Sequence, residues 1–180
     1  MLSKKMEDGL NQQINREMYS AYLYMSMSNC AQSKGLKGIA TWFMIQYHEE
    51  MVHAMKFVEY INDKGGTVTL RAIEQPENSF NSILEMMEKT LVHEQFITKS
   101  INDLVDLAAS EKDHATKVML DWYVTEQVEE EKNATDNVQM LKMVGDNPMA
   151  MFMVDKELGA RTLTVPTDFS KGVSAAMGGA

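Results

Sequence analysis

Apolar residues recur in alternating steps of three and four along four long stretches, the period of a helix that buries one face. The first stripe reads Leu10, Ile14, Glu17, Ala21, Tyr24, Ser28, Ala31, and the second Ile39, Phe43, Gln46, Glu50, His53, Phe57, Tyr60. The third reads Ile83, Met87, Thr90, Glu94, Ile97, Ile101, Leu104, Ala108, and the fourth Leu120, Tyr123, Gln127, Glu130, Ala134, Asn137, Leu141. Helix breakers frame them. From residue 10 to 64 the only glycines or prolines are Gly35 and Gly38, and from 79 to 144 there are none. This predicts helices over 5–32, 39–64, 81–109 and 115–144.

The turn at 33–38 is short, so the first two helices are antiparallel; so are the last two across 110–114, where Ser110 and Asp113 are alternative N-caps. The polar, β-branched stretch between the hairpins, with Pro76, is far longer than adjacent helices need. Fully extended it reaches roughly 50 Å, against roughly 40 Å for one of these helices. It therefore crosses the bundle and leaves helices two and three parallel. After Gly145, Asn147 and Pro148 start a short Met-rich fifth helix that ends near Leu158. The expected architecture is an all-α four-helix bundle over 1–159, with one long crossover between helices two and three, the short fifth helix, and a tail over 160–180. That tail has no assignable period, and Gly, Ala and Ser beyond Val165 suggest a flexible segment.

Composition agrees. A chain of 180 residues, 44% of them hydrophobic, is long enough for one domain with a real core. The lone Cys30 excludes an internal disulfide, a thiolate zinc site and a CxxC redox pair, and points to the cytoplasm. A formal charge of -9 repels nucleic acid and anionic lipid and attracts cations. No segment approaches the about 18 apolar residues of a membrane span, and MLSKKMEDGL is followed by no apolar stretch of signal-peptide length, so neither export nor anchoring is expected.

Each stripe is interrupted by polar residues near its middle. Glu17, Glu50 and His53 each precede Glu94, Gln127 and Glu130 by the same offset of 77 residues, so the two hairpins are pseudo-repeats. Related by a pseudo-twofold axis, all six groups share one level of the bundle. Four carboxylates together in low dielectric would repel one another and raise their pKa values, and no lysine or arginine lies on the stripes to offset them. Divalent or trivalent cations would. Carboxylates, an imidazole and an amide are hard oxygen and nitrogen donors, which suit iron or manganese, and two metals sharing a bridging carboxylate is the economical arrangement.

Glu17 followed by Glu50-x-x-His53 fits half of the di-iron carboxylate pattern, a Glu from each of two helices and Glu-x-x-His from the others. The second half reads Gln127-x-x-Glu130 instead. With YLYMS after Glu17, the glycine-opened, proline-containing linker and WYVTEQVEEE, the chain resembles the bacterial non-haem ferritins over 2–165. The haem-binding bacterioferritins, by contrast, keep both Glu-x-x-His halves.

The resemblance implies a ferroxidase and iron store. Glu17, Glu50 and His53 would bind one iron and Glu94 and Glu130 a second, with Glu50 bridging. Gln127 would hold a water or dioxygen species, and Tyr24 matches the family's redox-active tyrosine. Trp122 is a further candidate electron donor. A third iron site would use Glu49, Glu126, Glu129 and Glu130. The family implies a cytoplasmic shell of 24 subunits taking ferrous iron and dioxygen or peroxide, with no nucleic-acid or membrane partner. No haem is expected, although Met51 stands where bacterioferritins place their haem-ligating methionine. Lys117 and Leu120 replace the channel carboxylates of animal ferritins, so that iron entrance is not carried over. Two other readings stay open: a di-iron oxidase of an organic substrate, which needs an apolar pocket at the metals, and a non-catalytic metal-binding helical shell.

Overall fold

The computed structural model describes residues 2–173. Five helices, α1 (Lys4–Ser33), α2 (Lys37–Asp63), α3 (Ile83–Ser110), α4 (His114–Val144) and α5 (Pro148–Leu158), account for its regular structure, with no strand among the described residues. The ends fall within two residues of those read from the stripes and breakers. Side-chain caps fix four of the starts: Ser3, Ser82, Asp113 and Asn147 accept from backbone N–H groups of the first turns. Of the two candidate caps before α4, Asp113 does the capping, accepting from the Thr116 N–H at 3.1 Å. Ser110 instead ends α3, its hydroxyl donating to the Leu107 carbonyl.

α1 packs against α2 and α3, and α3 against α4. Partners run in opposite senses: Arg16 meets Ser100 and Met27 meets Thr90, so α1 and α3 are antiparallel and α2 and α3 parallel. The crossover follows α1. Asn11 donates to the Thr67 carbonyl at 2.9 Å and accepts from the Thr69 N–H at 2.6 Å, Asn15 donates to the Ala72 carbonyl, and Ser26 to that of Glu77. Flanked on three sides, α1 buries more than its stripe, adding Asn11, Gln13, Ser20, Leu23 and Met27. Of the four stripes only Tyr60 is less than buried.

The core is divided in two. One apolar cluster includes Tyr24, Met27, Phe43, Met87 and Leu141; the other includes Leu10, Ile14, Phe57, Ile101 and Leu120. On every helix of the bundle the stripe's carboxylates, with His53 and Gln127, lie between the two. α2 and α4 stand farther apart and are bridged by long side chains, as where the Phe57 and Tyr123 rings stack with centroids 4.1 Å apart.

α5 docks on the start of α2 through two glycines. A Cβ on Gly38 would lie 1.7 Å from the Asp155 carbonyl oxygen, and one on Gly159 would lie 2.7 Å from the Gly38 Cα. The Ile39 N–H also donates to Asp155 Oδ1 at 2.9 Å. Beyond Gly159 the tail runs as turns and irregular backbone to residue 172; the part of the expected flexible tail at 174–180 lies outside the described residues. No described helix is long and apolar enough to cross a membrane.

Candidate metal centre

Glu17, from the middle of α1, and Glu50 and His53, one turn apart on α2, are all buried in the polar layer. One ligand atom from each lies within 4.8 Å of the others, the spacing of donors around a single ion. His53 Nδ1 stands 3.5 Å from Glu50 Oε2. Glu17 Oε1 accepts from Gln13 Nε2 at 2.8 Å. Gln13 Oε1 accepts from both Ser100 and Arg16, so the side-chain amide nitrogen is left to face Glu17. Glu17 Oε2 and Glu50 Oε2 have no hydrogen-bond partner. Two carboxylate oxygens without a donor in a protein interior favour a proton or a cation beside them.

The other hairpin contributes Glu94, Gln127 and Glu130, also buried, and here the carboxylates are occupied. Glu94 accepts from the Tyr24 hydroxyl and, at 3.1 Å, from Gln127 Nε2, which also lies 3.3 Å from Thr98 Oγ1. Glu130 Oε2 accepts from Gln46 Nε2 at 2.8 Å. The pseudo-repeat relates Gln46 to Tyr123 and Glu130 to His53, and the equivalent contact is present: Tyr123 donates to the His53 carbonyl at 2.8 Å. That bond sets the turn of α2 carrying His53.

Burial, followed by the charges of Glu94, Glu17 and Glu130, pushes the Glu50 carboxyl well above the usual carboxylate range. Burial also raises Glu17, against the opposing pull of His53 and Gln13. Glu94 is pushed up to about 7 by burial, although its bonds from Tyr24 and Gln127 resist. Glu130 rises to about 8 through burial and the Glu94 charge. Without metal the layer therefore retains protons near neutrality, and a cation displaces them as it binds.

The family model described as a ferritin-like domain matches residues 7–144. The chain belongs to the ferritin family. The bacterial non-haem ferritin of Campylobacter jejuni is 42% identical over 156 residues, spanning 87% of this chain and 93% of that protein. That of Staphylococcus aureus USA300 is 39% identical over 162 residues, or 90% and 98% of the two chains. Among solved ferritins, an engineered closed form of the Archaeoglobus fulgidus protein superposes with a TM-score of 0.90 at 46% identity, covering 91% of this chain and all of that one. The open-pore ferritin of the same archaeon gives 0.89 over 90% of this chain.

The outer carboxylates of this ferritin chain are arranged differently from the inner layer. Glu49, Glu126, Glu129 and Glu130 line one cavity of about 210 Å³ with His53, Trp122 and residues of the tail. Glu126 is half-buried and Glu129 exposed. Glu49 is engaged: both its oxygens accept from Arg161, at 2.9 and 2.7 Å. The stripes carry no lysine or arginine, yet Arg161 and Arg16 reach the layer from off the stripes. Trp122 stands edge-on to His53, with centroids 5.5 Å apart, and the Lys56 Nζ sits 3.9 Å over its ring.

Gln13, Gln46 and Arg161 are the supporting residues that the stripes alone left without a role. Gln13 carried a signal, being one helical turn before Glu17. Gln46 stood on its stripe as an unexplained amide. Arg161 carried none, because its place depends on the long-range contact of Gly38 with α5.

Proposed function

We propose that this ferritin oxidises ferrous iron at a dinuclear centre and passes the ferric product to a mineral held inside a shell. Iron storage is the function supported by its family and relatives. Glu17, Glu50 and His53 bind the first ferrous ion, and Glu94 and Glu130 the second, with Glu50 shared. The observation that carries this is the buried trio whose donor atoms lie within 4.8 Å while two of its carboxylate oxygens have no partner.

Each ferrous ion gives up one electron. Dioxygen takes the pair with two protons and leaves as hydrogen peroxide; peroxide as oxidant takes the same pair and two protons and leaves as water. The carboxylates hold the ferric product better than the ferrous substrate because they are hard anionic donors, and a site with only one nitrogen lets that product move on. Gln127 faces the second ion with an amide suited to a water or dioxygen species. Tyr24, bonded to Glu94, is placed to lend an electron, with Trp122 beside His53 as a further donor. Glu49, Glu126, Glu129 and Glu130 form the third, outer iron position. The assembly is a cytoplasmic shell of 24 subunits.

The cavity that borders the centre at His53 and Glu130 carries four carboxylates and Arg161 beside Val52, Trp122, Thr164 and Val165, and its volume of about 210 Å³ with that charge favours a cation substrate over the apolar molecule an organic oxidase would take. Metal-free protein mixed with ferrous iron in air should oxidise it far faster than buffer alone, with hollow particles visible by electron microscopy. Oxidation at the buffer rate overturns the ferroxidase reading. Anomalous diffraction from an iron-soaked crystal tests the ligand set, and ions lying elsewhere overturn it.

A further inference from the structure

Arg161 reaches the outer carboxylates from just beyond α5, and three contacts fix it. Its guanidinium takes both oxygens of Glu49, donates to Gln46 Oε1, and lies 5.4 Å from the centre of the Trp42 ring. The Glu49 and Arg161 side chains are only 14% and 25% exposed, so the pair is partly shielded, and the guanidinium spans two partners, Nη2 on Glu49 and Nη1 on Gln46. The second contact points inward. Gln46 is buried, and with its oxygen on Arg161 its amide nitrogen is the end left to face Glu130, to which it donates at 2.8 Å. One cation thus neutralises an outer carboxylate and orients the donor that holds an inner one.

We propose that Arg161 is a positioning residue that limits occupancy of the outer iron position, because its guanidinium fills the Glu49 end of the cavity and holds Glu130 through Gln46. This rests on the ferroxidase reading of the inner centre and deepens it. An ion among Glu49, Glu126 and Glu129 would have to displace a fixed positive charge and then share the cavity with it. Charges a few ångströms apart in partly shielded surroundings act strongly, so the effect on affinity is at least about tenfold.

The test uses the assembled full chain freed of metal and redox-inert Zn²⁺ as the probe. Binding is followed by calorimetry, and the positions are counted by anomalous diffraction at the zinc edge. The parent should bind two ions per subunit tightly and a third, at the Glu49 side, at least about tenfold more weakly than Arg161→Gln does. Arg161→Lys keeps a charge but loses the second nitrogen that joins Glu49 to Gln46, so its third-ion affinity should fall between the two. Equal third-ion affinity in parent, Lys and Gln forms overturns the proposal. Failure of the parent to bind ions at Glu17, Glu50 and His53 overturns the ferroxidase reading instead.

Discussion

The two hairpins place their polar residues by the same offset yet prepare them for opposite states. In the first, Glu17, Glu50 and His53 stand ready: one donor atom from each lies within 4.8 Å of the others, and two of the trio's carboxylate oxygens have no hydrogen-bond partner. In the second, both oxygens of Glu94 are held, by Tyr24 and Gln127, and one of Glu130 by Gln46, so Glu94 must give up a hydrogen bond to take an ion. The difference comes from Gln127 standing for Glu50 and Glu130 for His53, and from Tyr24, whose counterpart in the repeat is Ile101, reaching Glu94. On the proposed ligand set it predicts ordered loading, first at the ready half and then at the other.

The widest separation between the halves should come from removing ligands. Glu17→Ala and His53→Ala should each slow initial ferrous oxidation by at least roughly 100-fold and abolish tight Zn²⁺ binding, with the shell intact by electron microscopy. Glu130→Ala should slow oxidation comparably but retain one tightly bound Zn²⁺ per subunit. Identical stoichiometries in the three variants would erase the contrast. Unchanged initial rates in the first two would remove the site itself.

Next in size is the support beneath the ready half. Gln13→Leu fills similar volume but withdraws the donor that holds Glu17 Oε1, leaving a third unpartnered oxygen in the layer. Affinity for the first Zn²⁺ should weaken by roughly tenfold, while the second-half variant Gln46→Leu should leave first-ion affinity unchanged. A loss of the same size in both would mean that the halves are not independent at the first step.

That contrast between ligands and supports also separates what was legible in the chain from what was not. The six inward residues were readable because helical period and a repeated offset are local, one-dimensional signals. The crossover was readable from its length alone. Arg161 was not: its segment lacks a period, and it arrives only because Gly38 and Gly159 let α5 approach α2. Nor could spacing tell that Glu94 bonds to Tyr24, since that contact depends on how closely α1 and α3 pack across the bundle.

A gentler probe is pH. Glu94 and Glu130 hold their protons at about 7 and about 8 when folded, against the ordinary 4.5. Because the folded state binds these protons more tightly, their stabilising contribution is complete below about pH 4.5 and is lost as pH climbs through about 7 and then about 8. The urea midpoint of the metal-free protein should therefore fall across that window. Saturating Zn²⁺ should reverse the trend, since the ion binds the deprotonated carboxylates. A Glu94→Gln, Glu130→Gln double variant should flatten the metal-free slope; an unaltered slope would assign the protons elsewhere.

The smallest effect isolates one hydrogen bond in the occupied half. Tyr24→Phe keeps the ring against Phe43, with centroids 6.2 Å apart in the parent, and removes only the hydroxyl that donates to Glu94. If that bond parks the carboxylate, its loss should tighten the second Zn²⁺ by only a few-fold, on the order of one hydrogen bond's net worth. Zinc takes no electrons, so this readout is blind to any redox duty of the phenol. Ferrous oxidation is not: a tyrosine that lends an electron makes the variant slower with iron even as it binds the second ion better. Tighter zinc with unchanged oxidation would leave Tyr24 as a holder of Glu94 alone. Weaker zinc would show that the hydroxyl orients Glu94 toward the ion, and the supposed cost of loading the second half would disappear.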